Sequence, residues 1–587
     1  MKRLLSRGHV DLVGLPPNET LAENHQSNDL VVAPLKEIIQ KNWQSGSVLI
    51  FVGAIGAVVR MISPFIKCKE TDPAVLVLDS EAKNIVPILG AHNAGAEKIA
   101  LNISEDLGGN AVLTGFSATN LLLPLDSYGY VWGWKRSKEF LQWKKLMISQ
   151  SRGEKISFSQ DAGSKLWETS KAASTTLIPF DSQSCRQEKP SFYIGSNSFD
   201  GCSWHPPVLW VGVGCERNTS KNLLKKALED SFDRSGLAKE SIAGFATIDL
   251  KANEPALISL SESEEMPINF FSREELRKVS VPNPSSLVHR EVGTASVAEA
   301  ASLLSAGKGG ILKLEKTIFH SDRDNQGAVT IAIAQSVKPF APGRGELHVV
   351  GSGPGDLSLL TCDARFALSK SAVWIGYKRY LDLLEPLRRK DQTRIDGELT
   401  FEKQRCAQAL ELALEGTCVS LISSGESGIY GMAGLALELL LQLPEKDRPN
   451  FDVHPGISAF QLAAAKVGAP LMNDFCSISL SDCLLPWEKI EARLEAASIA
   501  DFVIALYNPK SKARYWQLER AFELLLKHRS AETPVLLARQ VGRKDEKIEI
   551  HQLGSFPIDQ VDMLSILLIG NTMSVVQDGL FLTPRGY

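Results

Sequence analysis

The sequence predicts a multidomain α/β protein, and three observations carry that reading. From Glu346 onward, the apolar runs LHVVG, AVWIG, TCVSLIS, FVIALYN, PVLLARQ and SILLIG alternate with helix-like stretches. That alternation marks mainly parallel sheets with helices on their faces. Strand-like runs followed by glycine turns and helical spacing also occur earlier, at 48–58, 74–79, 208–232 and 242–250. Finally, 587 residues exceed what one core organises, so roughly three to five domains are expected, at about 100–200 residues each.

Taken in order, residues 1–134 hold a first α/β domain. VLIFVGAIGAVV, residues 48–59, is too short to span a bilayer and reads as a buried strand and its turn. AVLVLD is a second strand. LGAHNAGAEKIALNISEDLGG is a glycine-bearing loop running into a helix, with Ile99, Ile103 and Leu107 on one face and Gly108 and Gly109 as its stop. Residues 135–206 are rich in Ser, Lys and Gln with few periodic apolar positions, and read as an irregular insertion or linker, partly disordered. Residues 207–335 resume regular structure: a strand at VLWVGVG, a helix capped near Thr219 or Ser220, the strand IAGFATIDL, the helix TASVAEAASLLSAG and the strand VTIAIAQ. SVKPFAPGRGE, with two prolines and two glycines, links this to a last domain at 345–587, divided at about 457/458.

Composition narrows the function class. A net charge of −4 argues against a general nucleic-acid or membrane-surface binder. The nine cysteines include no C-x-x-C pair, so neither a disulfide framework nor a zinc or iron–sulfur site is expected. The basic N-terminus lacks a continuous apolar region, so no signal peptide is read there, and a cytoplasmic protein is expected.

In the last domain four loops follow apolar strands: GSGPGD at 351–356, SSGESGIYGMAG at 423–434, HPGISAF at 454–460 and LYNP at 506–509. The spacing of Gly351, Gly353 and Gly355 fails the G-x-G-x-x-G dinucleotide fingerprint at its third glycine. Bare backbone still lets a ligand approach closely. In an open α/β sheet, loops at the carboxyl ends of strands gather into one crevice.

Together, GSGPGDLSLLT, GYKRYLDLL, SSGESGIYGMAGLALELL and HPGISAFQLAAAKVGAPL resemble the tetrapyrrole methyltransferase family, most closely its precorrin-3B C17-methyltransferases. The resemblance implies a two-subdomain fold, not Rossmann-type, that binds S-adenosylmethionine between its halves. It implies methylation of C17 of a macrocycle with ring contraction, and a homodimer formed through this domain. The family usually reads Gly-Asp-Pro where this chain has Gly425-Glu426-Ser427. By resemblance, Pro354, Ser424, Gly425, Glu426, Ile429, Ser458, Ala459 and Asn508 line the cofactor. Two readings stand for Asp356: a catalytic carboxylate that faces the macrocycle or orders its loop, and an N-cap of the helix starting near Leu357. The substrate, with or without cobalt, is a polyanion. Lys378, Arg379, Lys510, Lys512 and Arg514 are candidates for its carboxylates, and Tyr377, Tyr380 and Tyr430 for its ring.

The first 335 residues resemble cobalt-precorrin-5A hydrolase in GAIGAVVRMISPFIKCKETDPAVLVLD, LGAHNAGAEKIA, VGVGCERNTS, FATIDLKANEPAL, FFSREEL and VGTASVAEAASLL. The family tends to read G-H-x-G-G-A-N where this chain has Ala94 and Glu97 at two of those positions. Lactone opening needs an activated water and oxyanion donors. His92 is the first candidate base and Glu97 its orienting partner. Asp249, Lys251 and Glu254 form a charged cluster after a strand, with Glu254 as a further catalytic candidate, and Arg60 is a candidate for a substrate carboxylate. The chain reads as a fusion of two activities on one class of small-molecule tetrapyrrole; the alternatives are a first half that binds the tetrapyrrole without catalysis, and a methyltransferase for a different corrin position.

Overall fold

A computed structural model describes residues 12–13, 30–31, 35–44, 46–68, 71–90, 94–113, 122–138, 140–181, 189–320, 326–511 and 515–586. Two compact units divide the chain, 1–120 and 121–587.

The first unit is built on a four-stranded sheet in the order Val48–Val52, Ala74–Leu78, Asn84–Leu89, Asn110–Ala111. Every residue of Ala74–Leu78 is buried. Successive strand residues face opposite sides. Ala74, Leu76 and Leu78 meet Ala96, Ala100 and Ile103 of the helix Ala96–Leu107. Val75 and Val77 meet Val58 and Ile62 of the helix Ile55–Ile62. Helices on both faces explain why this run is continuously apolar rather than alternating.

The second unit contains four five-stranded sheets. The stretch read as an irregular linker forms one of them, in the order Lys135–Arg136, Cys202–His205, Phe192–Ile194, Ile156–Gln160, Leu177–Pro179. That expectation is corrected: strands of two to five residues are too short to show periodicity. Order comes instead from buried tryptophans. Trp204 is fully buried and its indole N–H donates to the Leu125 carbonyl at 2.8 Å. Its ring packs edge-on against Tyr128, Tyr130 and Trp143. This aromatic core is continuous with Leu347, Cys406, Ala409 and Val419 of the last domain, so the segment shares that domain's core. Residues 182–188 lie outside the described residues.

The sheet of 207–335 runs Ile268–Phe271, Ile242–Ile248, Leu209–Cys215, Ala328–Gln335, Ile311–His320. Its first two pairings are parallel and its last two antiparallel.

The last domain has two halves. The first sheet is wholly parallel, in the order Thr393–Gly397, Val373–Tyr377, Cys418–Ser423, Glu346–Gly351, Asn450–His454. The second runs Phe475–Ser479, Val503–Tyr507, Ser565–Ile569, Pro534–Arg539, Lys547–Gln552. Only its first pairing is parallel. The mainly parallel expectation therefore holds for one half. In the other, a seven-residue connection from Arg539 to Lys547 is too short for a crossover and forces antiparallel neighbours. Among the described residues no helix is long and apolar enough to cross a membrane.

Candidate active site

The cleft of the last domain is assembled from strand ends. Strand Glu346–Gly351 runs into Gly351, Gly353 and Gly355: a Cβ on Gly351 would stand 2.7 Å from the Gly425 oxygen, whereas Gly353 has space around it and is set apart by its backbone conformation. Gly353 adopts φ 68° and Gly425 φ 61°, in the left-handed region that glycine enters at no steric cost. They exchange two backbone hydrogen bonds, Gly425 N–H to the Gly353 carbonyl at 2.7 Å and Gly353 N–H to the Gly425 carbonyl at 3.1 Å. A Cβ on Gly456 would stand 2.1 Å from the Gly425 oxygen and 2.6 Å from the Gly351 oxygen. Three predicted loops thus touch backbone to backbone.

Glu426 binds them further: Oε1 accepts Gly428 N–H at 3.0 Å and Oε2 accepts Gly456 N–H at 2.7 Å. The residue that departs from the family's usual wording therefore has a defined role here. From the second half, Asn508 enters with φ 51°, its Nδ2 donating to Ser479 Oγ at 2.9 Å. Tyr507 packs beside it, 5.2 Å from the ring of Tyr430, and burial pushes its phenol up to about 12. Tyr430 is half exposed and donates to the Ser477 carbonyl at 3.0 Å, which bridges the two halves.

A cavity of about 250 Å³ opens between these loops. Seven of the eight expected cofactor residues line it: Pro354, Ser424, Gly425, Glu426, Ile429, Ala459 and Asn508. Ser458 is buried behind that wall, where its hydroxyl and backbone N–H both donate to Gln461 Oε1 and cap the helix Ala459–Val467. Tyr377 and Tyr380 also line the cavity, their rings 5.1 Å apart and edge to face.

Asp356 does not line it. Its carboxylate is exposed and accepts the Ser358 backbone N–H and hydroxyl, both at 2.8 Å. Those bonds hold it below the usual carboxylate range. Of its two readings, the structure displays the cap. Lys378 pairs at the surface with Asp382 and Asp396, and Lys510 donates to the Ile558 carbonyl, so neither lines the cleft. Lys512 and Arg514 lie outside the described residues.

Two arginines escaped the sequence reading. Arg543 lines the cavity and donates through Nε to the Pro354 carbonyl at 3.2 Å. Burial first, and then the neighbouring charge of Arg379, bring its pKa below the usual arginine value. Arg405 is 5% exposed, bonds Glu402 at 3.1 Å and the Glu398 carbonyl, and keeps a buried Nε with no partner. Arg543 was findable: it follows the strand PVLLAR in a fifth strand-end loop, Gln540–Arg543, which bears Gly542. Arg405 sits inside a helix, Glu402–Leu414, and carried no such signal.

In the first 335 residues the candidates do not assemble so fully. His92 lies outside the described residues. Glu97 occupies the first turn of the helix Ala96–Leu107, where a carboxylate suits the helix dipole. Arg60 bonds the Gly56 carbonyl within its own helix. Glu254 is buried at the start of the helix Pro255–Glu264, accepts Asn218 N–H at 3.0 Å and lies 3.7 Å from Lys251 Nζ. It joins two loops that follow neighbouring strands. Asp249 opens the 3₁₀ turn Asp249–Lys251 in the second of these loops, directly after strand Ile242–Ile248.

Comparison with known proteins agrees with this layout. Residues 346–557 match the family described as Tetrapyrrole (Corrin/Porphyrin) Methylases. Residues 37–118 match Cobalamin synthesis G N-terminal and 209–334 match Cobalamin synthesis G C-terminus. A "Probable cobalt-factor III C(17)-methyltransferase" of Salmonella typhimurium is 46% identical over 243 residues, 41% of this chain and 99% of that protein. A "Precorrin-3B C(17)-methyltransferase" of Sinorhizobium is 42% identical over 249 residues, 41% of this chain and 97% of that protein. The crystal structure of the methyltransferase CobJ is 36% identical, covers 41% of this chain and all of its own, and superposes with a TM-score of 0.40. With nearly the whole length of such relatives contained in its last domain, behind both cobalamin synthesis G regions, this chain belongs to the tetrapyrrole (corrin/porphyrin) methylase family.

Proposed function

We propose that this chain is an S-adenosylmethionine-dependent C-methyltransferase acting at C17 of precorrin-3B or cobalt-factor III, with contraction of the macrocycle. We propose further that its first 335 residues open the lactone of a later (cobalt-)precorrin-5A. One observation carries the first reading: loops from both halves of the last domain converge on a single cleft.

The cleft suits the methyl donor. A Cβ at Gly425 would meet nothing closer than 3.7 Å, so that position is kept open rather than packed shut. Ile429, Met432, Ala459 and Tyr507 offer apolar wall for a purine, and Ser424 and Asn508 offer polar groups for a ribose and an amino acid. When bound, the donor supplies an electrophilic methyl on a sulfonium, whose in-line transfer needs alignment more than a strong base. Glu426 supports that alignment by fixing Gly428 and Gly456. Arg405, Arg543, Tyr377 and Tyr380 line the same space and suit a carboxylated ring. Asp356 would order the Ser358 turn beside the cleft mouth.

For the hydrolase-like half, His92 with Glu97 remains the proposed base, and Glu254 the proposed support of the second strand-end loop. A second reading is favoured by Glu254 itself, whose carboxylate is engaged by a backbone N–H and Lys251. On that reading the half holds a tetrapyrrole without hydrolysing it. We place the protein in the cytoplasm, and as a homodimer through the methylase domain, on family resemblance.

The test is incubation of the full chain with S-adenosylmethionine and precorrin-3B or cobalt-factor III, read by mass and absorption. One added methyl and a contracted ring are expected, and unchanged substrate rejects the reading. Acetaldehyde release from cobalt-precorrin-5A by the same preparation decides between the two readings of the first half.

A further inference from the structure

Behind the cleft, one face of the parallel sheet carries polar side chains that neither the core nor the proposed chemistry uses. His348 and His454 are 2% and 6% exposed. On the paired strands His348 is in register with Asp452 and Val350 with His454, so His348, Asp452 and His454 share one face. The helix Cys362–Lys370 brings Asp363 toward the same face, and Lys370 pairs with Glu346.

Each ring has an outer nitrogen facing a carboxylate. His348 Nε2 is hydrogen-bonded to Glu346 Oε2 at 3.1 Å; His454 Nδ1 is 2.9 Å from Asp363 Oδ2, off the line of a hydrogen bond, so the carboxylate acts there by its charge. The inner nitrogens, His348 Nδ1 and His454 Nε2, face each other at 3.0 Å, and Asp452 Oδ2 stands 3.9 Å from the former. On His348 the hydrogen-bonded carboxylate favours the tautomer with its N–H at Nε2, and on His454 the charge of Asp363 acts in the same sense at Nδ1. Neutral imidazole then has a lone pair on the inner nitrogen. Two lone pairs pointed at one another repel unless a cation lies between them. Carboxylate–histidine–metal is also the arrangement by which proteins orient metal-binding imidazoles. A tetrahedral ion with metal–nitrogen bonds of about 2.0–2.1 Å holds two nitrogens roughly 3.3 Å apart, a shift of a few tenths of an ångström from the spacing here.

We propose that His348 Nδ1, His454 Nε2 and the Asp452 carboxylate bind a divalent first-row ion of borderline softness, such as Zn²⁺ or Co²⁺, with water completing its shell. Asp452 is largely exposed and gives the ion an entry path. The ion clasps the edge strand Asn450–His454 to its neighbour, just before both strands release loops into the cleft. Glu346, His348 and Cys418 also have ligand atoms close together, but Lys370 already neutralises that glutamate.

The test is titration of the tag-free full chain with Co²⁺ alone, read by visible ligand-field absorption. One equivalent per chain should develop bands that Zn²⁺ removes. Asp452→Asn, at an exposed position, should weaken Co²⁺ at least tenfold, and His454→Gln should abolish the bands. If His454→Gln does not fold, Asp452→Asn decides alone. Absence of stoichiometric binding overturns the proposal and leaves a shared proton between the rings. Unchanged affinity in Asp452→Asn overturns it too, as do thiolate charge-transfer bands lost in Cys418→Ser.

Discussion

The Glu426 carboxylate accepts the backbone N–H of Gly456 at 2.7 Å, so one side chain on the loop after strand Cys418–Ser423 fixes the loop after strand Asn450–His454. Glu426→Ala strands the part-buried Gly456 donor, at a cost of roughly 1–3 kcal/mol, and leaves the exposed Gly428 N–H to solvent. We expect S-adenosylhomocysteine to bind about tenfold more weakly or worse by calorimetry, with the melting temperature lowered by a few degrees. Unaltered binding would show that the tie is incidental.

Gly456→Ala is a sharper test of the same junction. Its Cβ would stand 2.1 Å from a backbone oxygen that cannot swing aside. We expect loss of S-adenosylhomocysteine binding together with a lowered melting temperature. Gly434→Ala is the control: it lies in the helix Ala433–Leu441 with open space around it, and should stabilise by about 0.5–1 kcal/mol.

Arg543 is the cavity's clearest cation for a carboxylated substrate. Arg543→Gln should raise KM for the tetrapyrrole roughly tenfold or more, the scale of a charge-assisted hydrogen bond, while the S-adenosylhomocysteine affinity stays within about twofold. Equal losses for both ligands would mean that its bond to Pro354 matters more than its charge.

These positions show which features the sequence disclosed. Strand-end loops were legible because glycines recur directly after the apolar strand in three of the four, and seven of the eight residues taken from the four loops line one cavity. Arg405 was not legible, because an arginine inside a helix looks like a solvated face until the helix is packed. Lys378 and Lys510 misled for the converse reason: adjacency to a loop in sequence does not set where a long side chain turns. The segment 135–206 was misread because its Ser, Lys and Gln content masked Trp143, Trp167 and Trp204, spaced too irregularly for any period.

That segment supplies a stability test. Trp204→Ala removes the centre of an aromatic cluster that is continuous with the methylase core, and should cost about 3–5 kcal/mol. Because the core is shared, the methylase domain should melt with the segment rather than after it. Calorimetry that resolved a methylase transition unmoved by the substitution would contradict a common core.

The contact between linker and methylase domain predicts a pH dependence. Glu415 follows the helix Glu402–Leu414 and is 8% exposed. Burial pushes its carboxyl up to about 7; Lys338 opposes that shift and Glu411 adds to it. A carboxyl raised in the folded state above its unfolded value of 4.5 contributes stability that is complete below pH 4.5 and is lost as pH rises through 7. The penalty at higher pH is on the order of 3 kcal/mol. Glu415→Gln removes the charge and keeps the shape. Its urea midpoint should match the wild type near pH 4.5 and exceed it increasingly up to pH 8, where the wild type holds an unfavourable anion at a helix C-terminus. Parallel curves across that range would show that Glu415 finds enough solvent or cation to ionise freely, and that the linker contact is looser than its burial indicates.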